Sequence, residues 1–160
     1  MNLMGLDITI DEMAVEGADL LSSIHKICFK NSPEQAWQKH EFQSLFKVAG
    51  TKSYVMSIKG QPIGFILVRE ILDEAEILIF CILPKWCNNG YARTLLEWIM
   101  KKLQQRSFKR LFLEVRENNQ AAVKLYKKCF FKIIGRRKGY YNSHQGDKID
   151  ALVMHRELGV

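Results

Sequence analysis

The sequence predicts a mixed α/β domain, and three stretches carry that prediction. Seven uninterrupted apolar residues, Ile77 to Leu83, run through the turn-rich segment "PKWCNNG" (84–90) into a long amphipathic stretch. Two β-rich runs, Ser53 to Ile58 and Ile63 to Val68, flank turn chemistry at Lys59, Gly60, Gln61 and Pro62. A third stretch, Arg110 to Val115, leads through Asn118 and Asn119, good helix caps, into a further amphipathic helix. Strands therefore alternate with helices, and 160 residues suffice for one substantial core. A single domain over residues 1–160 is expected.

Taken in order, Ala14, Ala18, Leu21, Ile24 and Cys28 recur at helical spacing. Trp37, Phe42, Leu45 and Phe46 do so more loosely, with Ser32-Pro33 as the start of that second helix. Two helices thus open the chain, the hairpin follows, and Asp73-Glu74 marks the next turn. A continuous apolar run of strand length is covered on both faces, so residues 77–83 are predicted to form a central strand. In the next helix Ala92, Leu95, Leu96, Ile99 and Leu103 share one face, while Arg93, Glu97, Lys101 and Lys102 point away. Ala121, Ala122, Leu125, Tyr126 and Cys129 mark the stripe of the helix after Asn119, and Phe130 to Gly135 and Ile149 to Met154 supply further strands.

Composition narrows the function classes. There are 24 Lys and Arg against 17 Asp and Glu, a net charge of +7 that favours an anionic partner: nucleic acid, a ribonucleoprotein surface, acidic lipid or a phosphate-bearing cofactor. The four cysteines form no C-x-x-C pair, which suits a reducing compartment better than a disulfide framework or a zinc site. His25, His40, His144 and His155 share no ligand spacing, so no metal is expected. The acidic residues Asp7, Asp11 and Glu12 stand where a secretory leader would be basic, and no apolar run reaches bilayer length. The expectation is a cytoplasmic protein with no membrane association.

The segment after the central strand poses the chemical question. Amides at the start of a helix lack partners and sit at the positive end of the dipole, so a Gly that lets the backbone approach closely makes an anion site. Asn88, Asn89, Gly90, Tyr91, Ala92 and Arg93 could hold a phosphate in this way. From spacing alone, a plain strand-to-helix turn with an Asn cap accounts for them equally well.

These residues carry a resemblance. The stretch Cys87-Asn88-Asn89-Gly90-Tyr91-Ala92 resembles the acetyl-CoA motif of the GNAT superfamily of N-acetyltransferases, with Cys87 in place of the usual Gln or Arg. "LFLEVRENNQAAVKLYKKCFF" is similar to the strand, Asn turn and helix of the RimI-type branch, which acetylates the N-terminal alanine of a small-subunit ribosomal protein. "AWQKHEF", "LDEAEI" and "RRKGYY" are similar to the same branch. The likeness runs from Trp37 onward. It departs at Ala36, where a Pro is usual, and at Phe130-Phe131, where a Gly-Phe is usual.

The resemblance implies a mostly antiparallel central sheet, flanked by helices, that splays around acetyl-CoA as acetyl donor. It implies direct transfer to a protein N-terminal amine, with no acyl-enzyme step. Such an amine has a pKa near 8, so about a tenth is nucleophilic at neutral pH and a base must take its proton. Glu114 resembles that base; read without the family, it is a solvated carboxylate paired with Arg116 or Lys109. Tyr126 resembles the acid that protonates the leaving thiolate; otherwise it is a packed residue of the apolar stripe. Phe80, Cys81 and Ile82 would offer backbone to the acetyl and pantetheine arm, and Asn119 would meet that arm from the next turn. Trp37, Tyr140 and Tyr141 would line the groove for the substrate peptide. The implied partner is the N-terminus of a ribosomal protein, without direct sequence-specific nucleic-acid binding. Two rivals remain at this stage: the same fold acting on a small amine or a lysine side chain, and a non-catalytic module that holds RNA.

Overall fold

The apolar run falls in strand β5 (Glu74–Ile82), with Leu83 just past its end. In this computed structural model, which describes residues 2–3, 5–32 and 34–159, β5 lies inside an eight-stranded sheet of the described residues. The other strands are β1 (Asn2–Leu3), β2 (Leu6–Met13), β3 (Thr51–Ile58), β4 (Gln61–Ile71), β6 (Arg110–Arg116), β7 (Lys132–Asn142) and β8 (Lys148–Glu157). Their spatial order is β1-β2-β3-β4-β5-β6-β8-β7. Every neighbouring pair is antiparallel except β5 and β6, which run parallel through the crossover helix α3 (Tyr91–Gln105).

Two layers of helix cover the sheet. Helices α1 (Ala18–Cys28) and α2 (Lys39–Phe46) pack Leu21, Ile24 and Phe42 on Val55, Phe65, Leu67, Ile79 and Cys81. On the other face, α3 and α4 (Gln120–Lys128) pack Leu95, Leu96, Ile99, Leu103, Tyr126 and Cys129 on Ile66, Val68, Ile77, Leu113 and Met154. One irregularity in β5 serves both layers. Leu67 pairs with Ile79 but Val68 pairs with Ile77, so Leu78 is an extra residue in the ladder. The bulge shifts the pleat by one, sending Ile77 to the α3 side and Ile79 to the α1 side.

Several expectations are corrected here. Residues Leu6 to Met13 form a strand paired with β3, so the chain does not open on helices. The signal was the alternation of Leu6, Ile8 and Ile10. Ala14 precedes the 3₁₀ turn Val15–Gly17 and so stands outside the helical stripe that begins at Ala18. Helix α2 starts at Lys39, where the Gln38 amide donates to Glu41 Oε2 at 2.6 Å, and not at Ser32-Pro33. Pro33 itself lies outside the described residues. The central strand is also not sealed on both faces: Leu78 and Phe80 are only half-buried because one flank of β5 borders a cleft.

Candidate active site

The cleft begins where the parallel pair ends. β5 and β6 are paired from Glu74 with Arg110 to Ile77 with Leu113, and no further. Beyond that point Leu78–Ile82 stays with β4 while Glu114–Arg116 stays with β8. The sheet therefore splays, and a cleft of about 540 Å³ opens between the two strand ends. Its walls include Trp37, Phe80, Glu114, Asn119, Tyr126, Tyr140 and Tyr141. Seven residues singled out from sequence thus meet in one place although they come from five different segments.

Glu114 stands on β6 with its side chain about one-fifth exposed. Its cation is Arg137 of β7, whose Nε lies 3.0 Å from Glu114 Oε1. That corrects the expected partners: Arg116 instead bonds Glu34 at 2.8 Å, and Lys109 bonds Asp73 at 2.7 Å. Tyr126 projects from α4, packed near Phe80 and Phe131 at ring separations of 6.4 and 5.7 Å. Burial, reinforced by Cys81 and Cys129, pushes its phenol far above the usual tyrosine range, so it keeps its proton at any physiological pH. Tyr141 is likewise pushed up to about 12, by burial first and then by Glu34 and Glu114.

Asn119 caps α4, its side-chain oxygen accepting from the Ala122 amide at 3.3 Å. That leaves its amide nitrogen without a protein partner among the described residues, on the wall of the cleft. Trp37 is held by a residue to which the sequence assigned nothing. Its backbone amide donates to His25 Nδ1 at 2.9 Å, and its carbonyl accepts from Ser22 Oγ at 3.0 Å. His25 is buried, and that burial depresses its pKa to about 4, against a weaker opposing pull from Glu41.

The remaining sequence candidates lie past the end of β5. Cys81 and Ile82 are core side chains on its β6-free stretch, and they do not line the cleft. After the 3₁₀ turn Pro84–Trp86, Asn88 and Gly90 adopt left-handed backbone, with φ of 62° and 84°. Open space surrounds the position of a Cβ on Gly90, so it is the dihedral that selects glycine there. Asn89 Nδ2 donates to the Cys87 carbonyl at 2.9 Å, which holds the turn. No side chain caps α3, and among the described residues the amides of Tyr91, Ala92 and Arg93 have no acceptor. Ala92 packs on the core, whereas the Arg93 guanidinium is engaged by Glu97 at 2.7 Å. Partial burial, then Cys28, raises the Cys87 thiol pKa, so nothing in its surroundings activates it beyond an ordinary exposed cysteine.

A splayed sheet with an uncapped helix start beside it is matched at the level of family. The profile of the Acetyltransferase (GNAT) family matches residues 18–131. The chain belongs to this family. It is 37% identical over 95 residues to a ribosomal protein bS18 alanine N-acetyltransferase of Haemophilus influenzae, an overlap of 59% of this chain and 64% of that relative's length. The chain thus spans just under two thirds of the relative it matches there. Among solved structures, the ribosomal-protein-S18-alanine N-acetyltransferase of Escherichia coli superposes with a TM-score of 0.87 at 25% identity, covering 96% of this chain and 95% of that one. Arabidopsis thaliana NAA60, solved with acetyl-CoA, superposes at 0.77 and 18% identity over 94% of this chain and 98% of that one, a likeness of fold alone.

GNAT proteins use acetyl-CoA, and this GNAT domain has features that fit it. Free first-turn amides and a left-handed Gly90 suit the diphosphate, and the Asn119 amide nitrogen suits a carbonyl of the pantetheine arm. The site also contains residues that sequence reasoning missed: Arg137 on Glu114, the Glu34–Arg116 pair, and His25 behind Trp37. Separations of 23 and 82 positions leave no local pattern for the two ion pairs. The histidine sat in view on the α1 stripe, one residue after Ile24.

Proposed function

We propose that this chain is an acetyl-CoA-dependent N-acetyltransferase that modifies a protein N-terminal amine, with the N-terminal alanine of a small-subunit ribosomal protein as its substrate. One observation carries the reading: the splay beyond Ile77 and Leu113 gathers Glu114 and Tyr126 into a single cleft that also reaches Trp37, Tyr140 and Tyr141. The names of the relatives support the choice of acceptor.

When bound, acetyl-CoA supplies an activated acetyl thioester. Tyr91, Ala92 and Arg93 would hold its phosphates through backbone amides, and the strand edge at Phe80, Cys81 and Ile82 that β4 leaves free, with Asn119, would align the arm. Glu114 takes the proton of the acceptor amine, directly or through water, and Arg137 fixes the carboxylate's orientation. Tyr126 keeps its proton because phenolate is costly in its apolar setting, and so stands ready to hydrogen-bond and protonate a departing thiolate. Trp37, Tyr140 and Tyr141 flank the incoming peptide. Residues 1–160 act as one domain, in the cytoplasm. Among the described residues no helix is long and apolar enough to cross a membrane.

The test offers the protein acetyl-CoA with peptides beginning in Ala or Ser, with lysine-containing peptides blocked at the N-terminus, and with small amines. The expected product carries acetyl on the α-nitrogen of the Ala peptide. Acetylation confined to lysine or small amines overturns the acceptor, and salt-sensitive RNA binding without acetyl-CoA binding overturns the enzyme.

A further inference from the structure

Three of the four cysteines gather at the end of β5, and the proposed reaction uses none of their thiols. Cys28 closes α1, one turn after Ile24 on the stripe that packs onto the sheet. Cys81 is the second-last residue of β5 and belongs to the same apolar cluster. Cys87 follows in the next turn, where its thiol points to the Ile82 and Leu83 carbonyls at 3.5 and 3.6 Å. Cys129 stands apart, in the layer on the other face.

The first two thiols meet across the contact between α1 and β5. Cys81 S–H donates toward the Cys28 sulfur, which lowers the Cys28 pKa against the opposing pull of burial. Cys81 is pushed the other way, by burial first and then by Cys28. Cysteines packed among apolar residues are ordinarily inert small hydrophobes. These two are unlike each other: Cys28 is half-buried and the more acidic, whereas Cys81 is buried. A reachable thiolate beside a resolving thiol is the arrangement of a redox pair. Cys87 is turned to backbone carbonyls instead, so Cys81 is the partner that Cys28 meets.

We infer that Cys28 and Cys81 are a reversible thiol–disulfide pair, closed by a peroxide and reopened by thiols, and that the closed form slows acetyl transfer. With hydrogen peroxide, the Cys28 sulfur attacks one oxygen; an S–O bond forms, the O–O bond breaks, and the departing hydroxide takes up the proton that Cys28 released. The Cys81 sulfur then attacks the sulfenic sulfur; the S–S bond forms, the S–O bond breaks, and the oxygen leaves as water with the Cys81 proton. Two thiols and one peroxide thus give one disulfide and two waters. A disulfide holds its sulfurs about 2.05 Å apart, so the bond draws the end of α1 onto the end of β5. Phe80, beside Cys81, walls the cleft, and His25, one turn before Cys28, holds Trp37. A displacement of about 1 Å at such a site costs on the order of 10²-fold in rate. The pair itself stands independently of the acetylation reading, and its effect on rate rests on that reading.

The experiment treats the native protein with hydrogen peroxide, blocks the free thiols and maps disulfides by mass spectrometry of the unreduced digest. The expected product is a linked Cys28–Cys81 peptide that dithiothreitol removes, with Cys129 still free. Cys28→Ser and Cys81→Ala should each abolish it. In parallel, single-turnover transfer from acetyl-CoA to an Ala-initiated peptide should fall about 10²-fold on oxidation and recover on reduction. Cys28→Ser should keep the reduced rate and lose this response to peroxide. No linkage, or linkage of either residue to Cys87, overturns the pair. Linkage with an unchanged rate overturns the control of transfer. Linkage in a protein that transfers no acetyl even when reduced sustains the pair and defeats the enzymatic reading.

Discussion

At the scale of the residue, the site depends on groups whose protonation is set by burial. Tyr126 stays protonated well above its ordinary pKa of 10, so it contributes no alkaline fall in rate below that value. The rate should instead rise with pH as the acceptor amine deprotonates near pH 8, and a pH–rate profile on an Ala peptide reads this directly. His25 works in the opposite direction. Its folded pKa of about 4 lies below the ordinary 6.5, so the unfolded chain binds the proton more tightly and stability is lost as pH falls from 6.5 toward 4. Protonation also removes the Nδ1 acceptor of the Trp37 amide. Thermal melts should show a drop of roughly 5–10 °C across that window, and His25→Gln should abolish the step. The catalytic candidates were legible because Glu114 and Tyr126 sit in a recognisable strand–turn–helix segment. The ion pair that orients Glu114 was not, because Arg137 arrives from another strand.

At the scale of the element, the splay between β5 and β6 needs β5 held firmly on its other side. Gly64 of β4 provides this by close approach: a Cβ there would meet the Cys81 carbonyl oxygen at 2.4 Å and Ile82 Cα at 2.9 Å. Those are backbone atoms that cannot turn aside. Gly64→Ala should therefore destabilise the fold by about 1–3 kcal/mol and weaken acetyl-CoA binding by displacing the end of β5. Chemical denaturation and calorimetric titration measure the two effects. Helix α3 was readable from its 3.6-residue stripe, since Leu95, Leu96, Ile99 and Leu103 are all buried, and α4 less fully, since Ala121 of its expected stripe is exposed. β5 was readable as central but not as half-open, because only the pairing geometry beyond Ile77 reveals the cleft. β2 was missed although its period-two pattern was present.

At the scale of the whole molecule, the net charge of +7 suggests an anionic partner without locating it, and the uncapped first-turn amides of α3 are one place where an anion fits. The cysteines show the same limit of sequence. Cys81 and Cys129 are buried while Cys87 is exposed, so in the native protein a maleimide should label Cys87 fast and reach Cys81 and Cys129 only after unfolding. Mass spectrometry of the labelled peptides checks this. The flanking helices and the mostly antiparallel sheet follow from local patterns and the family likeness, whereas the strand order, with β2 beside β3, does not. The cleft follows from the family likeness alone and from no local pattern, because its walls join residues as distant as Trp37 and Tyr141.

The central claim is that Glu114 and Tyr126 perform proton transfer beside an independently held acetyl donor. It is tested most directly by single-turnover kinetics on an Ala-initiated peptide, with acetyl-CoA affinity measured in parallel. Glu114→Gln and Tyr126→Phe should bind acetyl-CoA as the unaltered chain does and lose about 10²–10⁴-fold in rate. Unchanged rates in either variant, with the cofactor bound, would contradict it.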